Sequence, residues 1–203
     1  LSKLNNNMPT LNEMSTAGFI VIAVLVFIIA FVSSNALNHK LKENYLRSLI
    51  FRKEKLKWYL IGLFLIPGLA VLSFVIGKAF GLETSKHAFN PNLLWLISFV
   101  CSFFLAGLNE ETGWRGFLQK ELQKKYNPLG TSAVICVLWT FWHLPIYYNG
   151  LRSTEGILEI IPHLIYLAPI TVIFTWLYNK SGYSILSVIF LHIMNNNFDA
   201  LFG

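Results

Sequence analysis

Residues 109–115 read NEETGWR and directly follow the apolar run from Leu93 to Leu108, with no turn signal between the two. Two adjacent carboxylates, Glu110 and Glu111, therefore end a run of membrane-spanning length. This placement is costly, because an ionised side chain in hydrocarbon costs about 2.5–3.5 kcal/mol even on lenient insertion scales. Residues of this kind indicate a functional site, so this stretch bears on both the fold class and the chemistry.

Helical spacing gives the two glutamates different environments. Glu111 and Arg115 are four residues apart, so the guanidinium can neutralise that carboxylate. Glu110 lies about 100° further round the same helix and can point elsewhere. The spacing predicts that Glu111 is paired and structural, whereas Glu110 takes a proton. The alternative is an acidic helix end that faces lipid headgroups.

The composition predicts an all-α, polytopic transmembrane helical bundle. Of the 203 residues, 55% are hydrophobic and 13% are charged, which excludes an ordinary soluble domain. Both cysteines lie inside apolar runs, so a disulfide framework is not indicated. We divide the chain into three parts. Residues 1–16 are a polar N-terminal segment, residues 17–90 contain two spans with a basic connector, and residues 91–203 form a catalytic core.

Apolar runs separated by polar connectors predict about six spans and additional interfacial helices. Simple spans would separate Glu110 and His143 by some 20 Å in depth at about 1.5 Å per residue. We therefore expect the third helix to continue through Gly113 toward Lys125. The predicted spans are 17–37, 58–80, a third that starts at Asn92, 129–148, 157–178 and 183–202.

The positive charges favour one orientation in the membrane. Seven of the 16 Lys and Arg residues lie between Lys40 and Lys57, in a connector that is either a surface-bound amphipathic helix or a solvated loop. With this connector in the cytoplasm, six spans place 12 Lys and Arg inside and 4 outside. The N-terminus is then outside, and the glutamates lie near the cytoplasmic leaflet. The charge therefore indicates a lipid bilayer and no nucleic-acid partner.

Polar groups on three apolar helices predict one shared interior pocket. His192 and Asn196 are four residues apart, and His143 is the only such group on its helix, whereas His163 beside Pro162 is interpreted as a packing residue. A shielded carboxylate and an imidazole can activate water, and a second imidazole with an amide can hold an oxyanion. This combination favours hydrolysis by an activated water over attack by a Ser or Cys nucleophile, since no Gly-x-Ser-x-Gly elbow is present.

Three motifs in this order carry a resemblance to a known family. They are Glu110-Glu111-x-x-x-Arg115, Trp139-x-x-x-His143 and His192-x-x-x-Asn196. Together they resemble the signature of the CAAX protease and bacteriocin-processing family of intramembrane endopeptidases (CPBP, also called Abi or type II CAAX prenyl endopeptidase), over residues 93–202.

The resemblance implies a role for each matching residue. Glu110 is the general base, assisted by His143, and His192 with Asn196 lines the oxyanion site. Glu111 and Arg115 complete the first motif as supporting residues. Trp139 stands where the family usually has Phe, at a position that packs, so this departure can reshape the pocket wall without changing the catalysis.

Metal dependence stays open at this point, and no cofactor is favoured. Two His and one Glu form the ligand set of a catalytic zinc site. If a divalent metal is present, Glu110, His143 and His192 would be its ligands. His-Glu-x-x-His is absent, and a metal-free water activated by glutamate needs the same residues, so the metal-free reading is preferred.

We therefore expect an intramembrane endopeptidase that acts on a hydrophobic or lipid-modified peptide, of the CAAX type or a bacteriocin or pheromone precursor. The alternatives are a non-catalytic membrane immunity or regulatory protein that retains the fold, and a proton-coupled carrier. The intact motif set argues against the first alternative. The lack of an inverted repeat in the sequence argues against the second.

Overall fold

A computed structural model describes residues 45–82, 92–144 and 160–198. All regular elements in these ranges are helical, which confirms the all-α prediction. A short helical segment at residues 45–49 and a 3-10 turn at Lys53–Lys55 precede the main helices. The main helices are α1 (Leu56–Ala79), α2 (Leu93–Leu122), α3 (Pro128–Trp142), α4 (Ile160–Lys180) and α5 (Ile185–Asn197).

Three helices in the described ranges are long and apolar enough to cross a membrane: Lys53–Ala79, Leu93–Leu122 and Ile160–Lys180. They correspond to the predicted second, third and fifth spans. Helix α3 is a shorter apolar helix, and residues 145–148 of the predicted fourth span lie outside the described residues. The predicted first span, residues 17–37, also lies outside them.

The chain divides into two compact units. The larger unit comprises Glu43–Ile135 and Ile170–Gly203, and the smaller unit comprises Leu1–Lys42 and Cys136–Pro169. Helices α3 and α4 each contribute residues to both units. The boundaries 1–16, 17–90 and 91–203 inferred from the sequence stay a prediction.

Local signals in the sequence set the helix ends as predicted. Helix α2 follows Asn92, whose side-chain oxygen accepts a hydrogen bond from the backbone N–H of Trp95 at 2.9 Å. Helix α3 begins at Pro128, and the side chain of Asn127 accepts from the N–H of Gly130 at 2.8 Å. The side-chain oxygens of Asn92 and Asn127 thus cap the first turns of α2 and α3.

Helix α2 continues past Gly113 to Leu122, as expected, but it is not a regular α-helix. Phe103–Leu108 and Thr112–Leu118 are π-helical, and Asn109–Glu111 is an α-helical stretch between them. Short π-helical insertions are frequent at functional sites. The two glutamates thus lie between two irregular stretches, a feature that the apolar pattern did not indicate.

Helix α5 forms the core of the larger unit. Its side chains are buried at ten positions: Ile185, Leu186, Ser187, Val188, Ile189, Leu191, His192, Ile193, Met194 and Asn197. With 13 residues it is shorter than the roughly 20 that span a bilayer. The sequence predicted a sixth span over residues 183–202, of which residues 199–202 lie outside the described residues.

Two glycines let neighbouring helices approach α5 closely. A Cβ atom at Gly62 of α1 would meet the backbone oxygen of Ser187, and one at Gly107 of α2 would lie 2.8 Å from Cγ2 of Ile189. Small residues at such contacts let helix backbones come together and pack tightly. The close packing of α1 and α2 on α5 therefore depends on these two positions.

The contact at Gly62 can be tested with Gly62→Ala and the matched control Gly68→Ala on the same helix. We expect Gly62→Ala to lower the free energy of unfolding by about 1–3 kcal/mol, because the new methyl group clashes with backbone. A Cβ atom at Gly68 meets nothing within 4 Å, so the control gains helix propensity instead. Thermal unfolding in detergent measures both, and equal midpoints for the two variants would contradict the close-packing argument.

Candidate active site

A fully buried ion pair lies at the centre of the larger unit. Nη1 of Arg115 is 3.0 Å from Oε2 and 3.1 Å from Oε1 of Glu111, and both side chains have no solvent exposure. This confirms the pairing that the four-residue spacing predicts. A buried ion pair is retained only when further hydrogen bonds complete it, because desolvation of two charges is costly.

The same carboxylate binds a histidine from another helix. Nδ1 of His192 on α5 lies 2.7 Å from Oε1 of Glu111, and His192 is 2% exposed. A carboxylate paired with arginine accepts hydrogen bonds, so Nδ1 is the nitrogen that carries a proton. This contact orients the imidazole and leaves Nε2 as the nitrogen for chemistry. Sequence reasoning paired Glu111 with Arg115 alone and missed this link.

Phe174 of α4 completes the cluster on its apolar side. The Arg115 guanidinium carbon lies 4.7 Å from the centroid of this fully buried ring, a cation–π arrangement. The same ring meets the His192 imidazole edge to face, with centroids 5.7 Å apart and planes at 68°. Glu111 and Phe174 thus each contact both Arg115 and His192, one through charge and one through its π face.

Glu110 has a different environment from its neighbour. Its side chain is half-buried, whereas Glu111 is buried. The two glutamates therefore differ in exposure as the helical spacing predicted, and the assignment of Glu110 as a base stays a prediction.

The three consecutive asparagines of α5 separate in role. Asn196, the predicted oxyanion residue, is exposed, and its side-chain oxygen accepts from Nδ2 of Asn195 at 3.5 Å. Its oxyanion role stays a prediction. Asn197 is buried, with Oδ1 accepting from Ser98 at 2.6 Å and its backbone oxygen accepting from Nε1 of Trp95 at 3.0 Å. It ties the start of α2 to the end of α5, and sequence reasoning did not single it out.

The smaller unit carries the second motif. Nδ1 of His143 donates to the backbone oxygen of Trp139 at 2.8 Å, since a carbonyl can only accept. In the neutral imidazole, Nε2 then holds the lone pair that can take a proton. Trp139 is 2% exposed, in keeping with its predicted packing role. The ring of His163, which the sequence assigned to packing, lies 4.7 Å from that of His143 between centroids.

The structure thus places the predicted residues in two local clusters. Glu111, Arg115 and His192 meet in the larger unit, and Glu110 precedes Glu111 on the same helix. Trp139 and His143 lie together in the smaller unit. The expectation that Glu110, His143 and His192 share one cavity stays a prediction.

Metal dependence stays a prediction. Of the three residues proposed as metal ligands, Glu110 and His192 lie in the larger unit and His143 lies in the smaller unit. Within the described residues, no three His, Cys, Asp or Glu side chains are grouped as ligands.

Comparison with known proteins agrees with the motifs. The sequence model of the family described as type II CAAX prenyl endopeptidase Rce1-like matches residues 92–198, a range that contains all three motifs. The chain is also 28% identical over 189 residues to the CAAX prenyl protease 2 of Methanococcus maripaludis, with 89% of this chain and 67% of that protein covered. The family match spans more than half of the sequence. The chain therefore belongs to the type II CAAX prenyl endopeptidase Rce1-like family of membrane proteases.

Proposed function

We propose that this protein hydrolyses a peptide bond in a hydrophobic or lipid-modified peptide at the membrane. The observation that carries the proposal is the buried contact between Glu111, Arg115 and His192 within a bundle of apolar helices. A prenylated peptide is one substrate class, because the Methanococcus maripaludis relative is named a prenyl protease. A bacteriocin or pheromone precursor offers the same hydrophobic character.

Water is the nucleophile in the proposed reaction. Glu110 takes a proton from a water molecule while the oxygen of that water attacks the scissile carbonyl carbon. His143 assists through Nε2. The attack produces a tetrahedral oxyanion. Its collapse breaks the C–N bond, and the proton held by Glu110 passes to the leaving nitrogen. The products are one new carboxyl terminus and one new amino terminus.

His192 and Asn196 stabilise the oxyanion in this scheme. An oxyanion accepts hydrogen bonds, so the imidazole acts as a donor through Nε2. Glu111 accepts from Nδ1 at 2.7 Å and orients the ring. Glu111 and Arg115 are therefore positioning residues, whereas His192 touches the reacting atoms.

We also propose that the reaction takes place on the cytoplasmic side of the membrane. Cations are concentrated near the start of α1 and the ends of α2 and α4, whereas Lys78 stands near the far end of α1. Membrane proteins carry their excess of Lys and Arg on the cytoplasmic side. The proposed orientation follows from this asymmetry, with the N-terminus outside.

The base is tested with Glu110→Gln and the control Glu121→Gln, an exposed glutamate on the same helix that pairs with Lys124. We expect Glu110→Gln to lower kcat by about 10²–10⁴-fold, the usual contribution of a general base. Glu121→Gln keeps the activity of the parent protein. The measurement is cleavage of a membrane-anchored peptide by purified protein. Equal cleavage by Glu110→Gln would remove Glu110 as base, and failure of the parent protein on all such peptides would favour a non-catalytic binding role.

Metal dependence has a separate test. We expect purified protein to retain cleavage after prolonged treatment with a strong chelator, because the proposed water is activated by Glu110 and His143 alone. The metal content of the same sample is measured by mass spectrometry. Loss of cleavage that added Zn²⁺ restores would overturn the metal-free scheme.

The role of Phe174 can be isolated with fluorinated phenylalanines, which weaken the π face at nearly constant shape. We expect stability and kcat to fall stepwise from one to three fluorines with little change in KM, with a total loss of about 2 kcal/mol for a desolvated cation–π contact. The control series is at Phe99, whose ring contacts Trp95 at 5.2 Å. A flat response at Phe174 would show that its role is steric only.

A further inference from the structure

One end of the larger unit carries nearly all of its basic side chains. We call this surface the basic end. It includes nine cations and two acidic residues, which gives a formal charge of +7. These residues are Arg47, Arg52, Lys53, Lys55, Lys57, Lys120, Lys124, Lys125 and Lys180, with Glu54 and Glu121. All of them lie outside the predicted catalytic motifs.

Contacts between helices bring these residues to the same level. Nζ of Lys55 donates to the backbone oxygen of Gly182 at 2.9 Å, which joins the start of α1 to the turn after α4. Nε2 of Gln119 donates to Oδ1 of Asn179 at 3.3 Å, which joins the end of α2 to the end of α4. The starts of α1 and α5 and the ends of α2 and α4 therefore meet at the basic end.

The acidic residues neutralise little of this charge. Glu121 pairs with Lys124 at 2.7 Å, and Glu54 is 4.0 Å from Arg52 with 69% of its side chain exposed. Exposed pairs of this kind are weak and leave the surrounding field positive. Near the far end of α1, Lys78 is the one charged residue among the described residues of that helix beyond Trp58.

Exposed apolar and aromatic side chains border the cations. They are Leu46, Ile50, Phe51, Leu56, Tyr126 and Tyr183, each about half exposed. The ammonium of Lys57 lies 4.7 Å from the ring centroid of Trp58. Mixed basic and apolar surfaces of this kind suit the boundary between headgroups and acyl chains.

We propose that the basic end binds the anionic headgroups of phospholipids. Helices α1, α2 and α4 are apolar enough to cross a bilayer, and each has one of its two ends at the basic end. The cations therefore reach headgroup depth, while the apolar side chains reach the acyl chains. Anionic lipids attract such clusters within a Debye length of the surface.

The proposed lipid surface is connected to the candidate active site. The hydroxyl of Tyr45 lies 2.7 Å from Oγ1 of Thr112, the residue after Glu111. The side chain of Tyr45 also lies 3.5 Å from where a Cβ atom at Gly116 would be. Lipid bound at residues 45–57 therefore holds a segment that packs directly on the helix of the two glutamates.

The test measures lipid binding and needs no catalytic turnover, so its failure is distinct from failure of the proposed hydrolysis. Detergent-purified protein is titrated with phosphatidylglycerol or phosphatidylcholine, and bound lipid is counted by native mass spectrometry. The test variant combines Lys53→Gln, Lys57→Gln and Lys180→Gln, three exposed cations of the basic end. Lys78→Gln is the control from the far end of α1.

We expect the parent protein and Lys78→Gln to prefer phosphatidylglycerol, and the triple variant to bind it about 100-fold more weakly. Each cation near an anionic surface contributes about fivefold in affinity. A second triple variant with Arg at the same positions keeps the charge and is expected to keep the binding, which separates charge from folding. Equal affinity for the two lipids, or full binding by the Gln variant, would overturn the proposal. If the parent protein binds poly-glutamate but does not bind phosphatidylglycerol, the proposal is also overturned, in favour of an acidic protein partner.

Discussion

The carboxylate of Glu111 holds together groups from different parts of the larger unit. It lies without solvent exposure against Arg115 on its own helix and His192 on α5. Breaking a buried pair by removing one partner typically costs about 3–5 kcal/mol, because the remaining charge is left uncompensated. The positions of α2 and α5 are therefore constrained by Oε1 of Glu111, which accepts from Arg115 on α2 and from His192 on α5.

Packing brings that oxygen within reach of the imidazole. Gly107 lies against Ile189 and Ile193, so α2 approaches α5 closely one turn before the glutamates and next to His192. Asn197 then fixes the far end of α5 through hydrogen bonds from Trp95 and Ser98. These contacts on either side of His192 leave the histidine little freedom, which is the condition for a preorganised site.

Local features of the site could be predicted from the sequence, and distant ones could not. The Glu111–Arg115 pair follows from a spacing of four residues, and the start of α2 at Asn92 follows from the end of the polar connector. The contact between Glu111 and His192 joins residues 81 positions apart, and no periodicity encodes it. The choice of Asn197 over Asn196 as the buried amide depends on how α5 rotates in the core. The burial of α5 was also beyond the hydropathy pattern, since a buried helix and a spanning helix are both apolar.

Glu110 and Glu111 follow each other on α2 between two π-helical stretches, yet their surroundings differ. A carboxylate that positions other groups must be shielded, and Glu111 is fully buried with its partners in place. A carboxylate that exchanges a proton with water must stay accessible to it, and Glu110 is half-buried. Adjacent residues differ by about 100° in a helix, and Glu111 is the one that contacts His192 of α5. The proposed base and the positioning carboxylate can thus follow each other in sequence because the helix directs them to different surroundings.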